Sequence, residues 1–173
     1  PGWDGLPLAR ALADRTGLPA RIENDSIAAA LGEWQHGAGK GVGNMVYLSV
    51  STGIGGGAVT DGQLMHGHKG MASHIGHMRL AQGGPRCSCG ALGCFEALAA
   101  GPALRQRAAA VAQDGGSAFL GKVAQTGSLE VKHVFEGARA GDSHCRQLVA
   151  EEALYLGQGI TRTKERREGK KRR

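Results

Sequence analysis

The chain has 173 residues, of which 41% are hydrophobic, 21% charged and only 4% aromatic, with 30 glycines; this suits one domain of ordinary size, or one domain plus part of a neighbour, packed on aliphatic side chains and rich in tight turns. The net charge of +6 is concentrated in the last eleven residues, TKERREGKKRR, which hold seven basic and two acidic groups, so the body is close to neutral and nucleic acid is not an expected partner. No run of about 18 apolar residues occurs, and the start, PGWDGLPLARAL, lacks the basic stretch and apolar block of a signal peptide. A soluble, cytoplasmic protein is therefore expected, and Pro1 in place of Met suggests that processing or truncation has removed something upstream.

From Leu6 to Leu18 the residues Leu8, Ala11 and Leu12 share one helical face, and Gly17 followed by Leu18-Pro19 ends that helix. Ala20-Arg21-Ile22 reads as a brief strand, and Asp25-Ser26 offers an N-cap for the Ala-rich helix from Ile27 to Trp34. Residues 36–41 form a loop. Asn44 to Val50 alternates Val46, Leu48 and Val50 against Met45 and Tyr47, the pattern of a buried strand. The Gly cluster of residues 53–57 turns the chain, and Ala58-Val59-Thr60 before Asp61-Gly62 predicts a hairpin. Cys94 to Ala112 reads as helical with a break near Gly101-Pro102. A short helix is expected over Leu129–Ala138 with Ser128 as its cap. Asp142 caps a last helix carrying Leu148, Val149, Tyr155 and Leu156, which gives way after Gly157 to the basic tail.

The densest chemical signal is Cys87-Ser88-Cys89-Gly90-Ala91-Leu92-Gly93-Cys94, preceded ten residues earlier by His77 in the string HIGH. Three thiols and an imidazole are the ligand set of a closed tetrahedral zinc site, and four protein ligands leave no place for a catalytic water, so the ion would be structural. The alternatives are a disulfide or unligated buried thiols. Three cysteines within eight residues leave one unpaired, and Cys87 and Cys89 are too close in sequence for an unstrained bridge. Cys145, alone on a helix, reads as packing. A metal knot over 77–94 would fix the neighbouring His74 and Glu96 in place.

Val50-Ser51-Thr52-Gly53-Ile54-Gly55-Gly56-Gly57 follows a strand and offers successive backbone N–H groups with two hydroxyls, a nest suited to phosphate oxygens. No helix follows and no Gly-Lys-Ser/Thr is present, which argues against a dinucleotide fingerprint and a P-loop. The same residues also read simply as a turn between strands. Asp25 is equally two-sided: an Asp before an Ala-rich helix is a cap, or a general base for an attacking hydroxyl, with Asn24 beside it to hold a second hydroxyl.

Taken in order, IENDSIAAALGE, YLSVSTGIGGG, HIGHM and GPRCSCGALGCFEALAAG resemble the ROK family of sugar kinases. The resemblance implies an α/β, actin-like (ribonuclease H-like) ATPase fold with a small zinc-binding loop, phosphoryl transfer from ATP with Mg²⁺ to a sugar 6-hydroxyl, and a homodimer. It implies Asp25 as catalytic base and Asn24, His74, His77 and Glu96 as sugar ligands. Ser51, Thr52 and Gly53 would face the γ-phosphate, and His77, Cys87, Cys89 and Cys94 would hold zinc. His74 stands where glucokinases of the family usually carry Glu and is similar to the bacterial N-acetylmannosamine kinases, so N-acetylmannosamine is expected over glucose. Other members are glucokinases, or transcriptional repressors that keep the metal knot and sugar site behind a helix-turn-helix.

A complete member would also have an upstream Asp-x-Gly-Gly-Thr-Lys strand for phosphate and magnesium and a later Gly-rich loop for adenosine, and neither stands in this chain. The expected organisation is therefore a remnant of an N-terminal lobe over residues 1–25, a C-terminal lobe over 26–162 with the metal loop at 77–94, and a basic disordered tail over 163–173. A chain so organised is expected to have little or no kinase activity by itself.

Overall fold

Asn24 opens the part of the chain that builds the site. The computed structural model describes residues 5–68, 72 and 74–168, and in it the Asn24 side-chain oxygen accepts from the Ser26 and Ile27 N–H groups. Asn24, and not Asp25 or Ser26, is thus the N-cap of α2 (Asp25–Gln35), because its extended backbone puts its side chain across the exposed first turn. Asp25 becomes the first helical residue. Before it, α1 (Leu8–Thr16) ends as expected at Gly17, which takes a left-handed φ of 68° and donates its N–H to Ala13. None of the residues of α1 is buried. Ala20-Arg21-Ile22 forms no strand, since no neighbour among the described residues supplies a ladder to it.

The sheet has three antiparallel strands in the order β1-β2-β3: β1 (Met45–Val50), β2 (Ile54–Thr60) and β3 (Gln63–Leu64). β1 is half-buried and not buried as its apolar pattern predicts, because it forms an edge of this sheet. Val50 pairs with Ile54 across the turn Ser51-Thr52-Gly53, so the glycines of 55–57 lie inside a strand and not in the turn. Close packing requires them there: a Cβ on Gly57 would stand 2.3 Å from the Ala30 methyl, and one on Gly55 2.2 Å from the Ser26 hydroxyl, so α2 lies flush on β2. The β2–β3 hairpin turns at Asp61-Gly62, both with positive φ, as the sequence predicts.

Helices α3 (Phe95–Ala99) and α4 (Gly101–Gln113) are separated at Ala100, where Gly101-Pro102 marks the break. A helix that the sequence reading does not predict, α5 (Ala118–Thr126), follows, with Ser117 as cap accepting from the Leu120 N–H at 3.0 Å. Its signal is obscured by Gly115-Gly116 before it and Gly121 and Gly127 within and after it. α6 (Val131–Arg139) starts later than expected, and its cap is Glu130 in a capping box with His133 in place of Ser128. α7 (Ser143–Glu168) passes through Gly157 without ending, which corrects the expected break there. Residues 169–173 of that tail lie outside the described residues.

Two apolar clusters result. Leu104, Ala108, Leu120, Val134, Cys145 and Leu148 join α4 to α7, while Ile54, Ile75, Phe95, Ala99 and Ala100, with Tyr155 and Leu156 packed against them, join the sheet to α3 and α7. The helical spacing of Leu148, Tyr155 and Leu156 therefore does what it predicts, seaming both clusters along one helix. Arg107 on α4 clamps the same seam: it donates to Glu152 Oε2 at 2.6 Å and to the Leu98 carbonyl at 2.6 Å, and lies 5.4 Å from the Tyr155 ring centroid.

Asp142 caps α7, accepting from the Cys145 N–H at 2.9 Å and from the Ser117 hydroxyl at 2.7 Å, so one carboxylate ties α5 to α7. Burial raises its pKa, but the hydrogen bonds from Cys145, Ser117 and His144 outweigh burial and hold it below the usual 3.8. A carboxylate depressed in the folded state stabilises above its unfolded pKa and loses that contribution as pH falls through the folded one. Asp142→Ala is accordingly expected to lose about 0.5–2 kcal/mol at pH 7, and urea titrations should show the gap from wild type closing below pH ~4.

Candidate active site and metal centre

The site forms where four short segments meet. The start of α2 supplies Asn24 and Asp25, the β1–β2 turn supplies Ser51, Thr52 and Gly53, a 3₁₀ turn at Ile75–His77 carries His77 and is capped by His74, and α3 supplies Glu96. All eight of these residues line one polar cleft of about 320 Å³, together with Ser26, Ser49, Ala72 and the backbone of 54–56. A shallower and larger groove beside Leu6, Leu8 and Ile22 holds no such chemistry, its one ionisable lining residue being Arg10.

Each wall of the cleft has a local cause. Asp25 Oδ1 accepts the Ser26 N–H at 2.7 Å and lies 3.2 Å from the Ser26 hydroxyl, which holds the carboxylate at the head of α2. Ser26, buried against Gly55, was not among the expected site residues; its signal is only its place directly after the Asp. The HIG turn sits flat on β2 because position 76 is Gly: a Cβ there would stand 2.1 Å from the Ile54 carbonyl oxygen. The rings of His74 and His77 stack 6.1 Å apart at 19°. In the turn, the Ser51 N–H donates to the Gly53 carbonyl at 2.9 Å and the Ile54 N–H to Glu96 at 3.0 Å, leaving the amides of Thr52 and Gly53 without an acceptor among the described residues. Two adjacent amides with flanking hydroxyls can receive an anionic oxygen.

Behind Glu96 and His77 lies the thiol cluster. The loop closes through the Cys87 N–H to the Ala91 carbonyl at 2.8 Å, the Leu80 N–H to Gly93 at 2.8 Å and the Phe95 N–H to Met78 at 2.8 Å. Gly93 is required twice over: its φ is +69°, and a Cβ would stand 2.3 Å from the Gly83 oxygen and 2.4 Å from the Ala81 oxygen. The donor atoms of His77, Cys87, Cys89 and Cys94 all lie within 4.8 Å of one another. His77 Nδ1 is 3.5 Å from Cys87 Sγ, and Cys89 Sγ is 3.7 Å from Cys94 Sγ. A tetrahedral zinc with Zn–S of ~2.3 Å and Zn–N of ~2.0–2.1 Å sets neighbouring sulfurs about 3.8 Å apart and nitrogen and sulfur about 3.6 Å apart. The donor set and its spacing therefore fit zinc. All four cysteines are free of disulfides. Burial, and after it the neighbouring Cys89 and Cys87, push the Cys94 thiol up to about 12, while the backbone at Ala91 lowers the exposed Cys89. Cys145 lies in the α4–α7 cluster, apart from this group, and burial raises it to about 11.

The architecture is that of an α/β protein with a polar cleft walled by a loop whose imidazole and three thiols fit a metal. The chain matches the ROK family over residues 1–166 and belongs to it. It is 38% identical over 161 residues to a glucokinase of Halalkalibacterium halodurans, covering 92% of this chain and 49% of that one. It is 39% identical over 159 residues to the N-acetylmannosamine kinase of Citrobacter koseri, covering 92% and 50%. Among solved structures, a ROK family glucokinase from Streptomyces griseus in complex with glucose and AMPPNP superposes with a TM-score of 0.72 at 37% identity, covering 89% of this chain and 51% of that one. A ROK family transcriptional regulator, a homologue of the E. coli MLC protein, superposes with a TM-score of 0.76 at 31% identity, covering 88% and 38%. These relatives carry the actin-like fold to this chain, which spans about half the length of the curated proteins it matches. Among the described residues no helix is long and apolar enough to cross a membrane.

Proposed function

We propose that the cleft binds a hexose or N-acetylhexosamine and presents its 6-hydroxyl for phosphorylation by Mg²⁺–ATP. One observation carries this reading: Asn24, Asp25, the Ser51–Gly53 turn, His74, His77 and Glu96, separated in sequence by up to 72 positions between Asn24 and Glu96, line a single polar cavity. Phosphoryl transfer asks a protein mainly to position reactants and to receive spreading negative charge. Asp25 would accept the proton of the attacking hydroxyl, and Asn24, His77 and Glu96 would hold the other hydroxyls, a set of donors and acceptors that matches a sugar better than an apolar pocket does. The Thr52 and Gly53 amides with the Ser51 and Thr52 hydroxyls would receive the γ-phosphate. Zinc bound to His77, Cys87, Cys89 and Cys94 would be structural: it would hold the loop that carries the sugar ligands.

Overall identity does not separate the substrates, since the glucokinase and the N-acetylmannosamine kinase match at 38% and 39%. His74 favours N-acetylmannosamine: an imidazole donates or accepts, and lacks the fixed negative charge of the Glu expected at this position in glucokinases. The Asn24-Asp25 pair favours a kinase over a sugar-sensing regulator, because a sensor has no hydroxyl to deprotonate and so no need of a carboxylate beside it.

Calorimetry on the 173-residue chain should show N-acetylmannosamine binding more tightly than glucose, with the order reversed in His74→Glu. A coupled ADP-release assay should show little turnover from this chain alone. Glucose bound as tightly as N-acetylmannosamine by both proteins would refute the epimer preference, and no sugar binding at all would refute the reading of the cleft.

A further inference from the structure

Glu96 is the second residue of α3, two positions after Cys94, and its two oxygens face different parts of the site. Oε2 accepts the backbone N–H of Ile54 at 3.0 Å. Oε1 lies 3.4 Å from the hydroxyl of Ser88, which stands between Cys87 and Cys89 in the thiol loop. Ile54 closes the β1–β2 turn, and a Cβ on Gly53 would stand 2.6 Å from Glu96 Oε2, so the carboxylate and the turn are in contact with no room between them. The other shoulder of the turn is held from the same direction, by the Gly101 N–H donating to the Ser51 carbonyl at 2.8 Å. The conformation of Ser51–Gly53 thus depends on the helix pair α3–α4 through one side chain and one backbone amide.

We propose that Glu96 is a positioning residue for this turn as well as a sugar ligand, so that the sugar pocket and the phosphate-receiving amides are coupled through one carboxylate. The proposal rests on the reading of the cleft given above. A charge-assisted bond from a backbone N–H to a carboxylate is among the stronger hydrogen bonds a turn can make. A sugar hydroxyl that engages Glu96 would order that carboxylate and with it the Thr52 and Gly53 amides, and by linkage a phosphate held there would strengthen the sugar site equally.

The test separates the two roles. In the unliganded chain, amide hydrogen exchange at Ile54 should accelerate about tenfold or more in Glu96→Ala, while Glu96→Gln, whose side-chain carbonyl can still accept, should keep wild-type protection. By calorimetry, Glu96→Ala should weaken N-acetylmannosamine 6-phosphate about tenfold more than it weakens N-acetylmannosamine, whereas Glu96→Gln should weaken both by similar factors. Gly53→Ala, which keeps the carboxylate but forces a methyl against it, should also unprotect Ile54 and serves if Glu96→Ala does not fold. Unchanged Ile54 exchange in Glu96→Ala and Gly53→Ala would overturn the proposal, as would equal loss of both ligands in Glu96→Ala. If the wild-type chain binds neither sugar, the kinase reading fails while the exchange measurements still decide the role of Glu96 in the turn.

Discussion

Cys94→Ser is expected to lose the bound metal entirely and to lower the melting temperature by about 8–16 °C. That range follows from a metal contributing about 4 kcal/mol at a concentration a thousandfold above its dissociation constant, with each kcal/mol worth about 2–4 °C in a chain of this size. The cause is geometric. Cys94 is fully buried, it is the N-cap of α3, and it sits between Gly93, whose backbone no other residue can adopt without clash, and Phe95, whose N–H holds the loop to Met78. Removing its thiolate therefore removes one of four ligands and loosens the entry to the helix that carries Glu96. Elemental analysis of native protein should give one zinc per chain, and His77→Ala should lose it as Cys94→Ser does. Full metal content in either variant would contradict the assigned ligand set.

Phe95→Ala is expected to cost about 3–5 kcal/mol, at the top of the range for emptied core positions. Phe95 has no exposed surface, and α7 has a notch for its ring: a Cβ on Gly159 would stand 2.4 Å from two ring carbons. The ring joins the cysteine loop, the sheet through Ile54, the 3₁₀ turn through Ile75, and α7 through Tyr155 and Leu156. Little of this can relax into the space a phenyl leaves, because the neighbours are held by backbone contacts at Gly76 and Gly93. Urea unfolding measures the loss, and a change below about 1 kcal/mol would show that the α3–α7 contact does not support the site.

The chemistry of the site was more legible than its walls. His77 and the three cysteines, Asn24-Asp25 and Ser51-Thr52-Gly53 stand out by type and spacing because short-range constraints carry them: a thiol triplet, an Asx residue at a helix start, a Gly-rich turn; His74 and Glu96 enter as sugar ligands only through the resemblance to the ROK family. What local pattern does not record is contact between distant segments. The glycines of β2 read as turn formers, but Gly55 and Gly57 are there because Ser26 and Ala30 press against that strand. Ser26, Ser88 and the Ile54 N–H escaped notice for the same reason, since each acts through a partner 8 to 42 positions away or across an element boundary. Helix α5 was hidden by glycines on both sides, and α7 runs through Gly157 because its packing against α3, α4 and α6 outweighs the modest cost of one glycine. The cap of α2 moved from Asp25 to Asn24 for a reason worth keeping: two adjacent residues can both cap, and the one with extended backbone takes the role.

Titration of N-acetylmannosamine into the metal-loaded chain, followed residue by residue by amide chemical shifts, decides most directly whether the Asn24-Asp25 end of α2 and the metal-held loop form one sugar site. One saturable site, with shifts gathered at Asn24, Asp25, Ile54, His77 and Glu96 and abolished by stripping the metal, is the expected result. Shifts confined to one wall of the cleft, or binding indifferent to the metal, would contradict it.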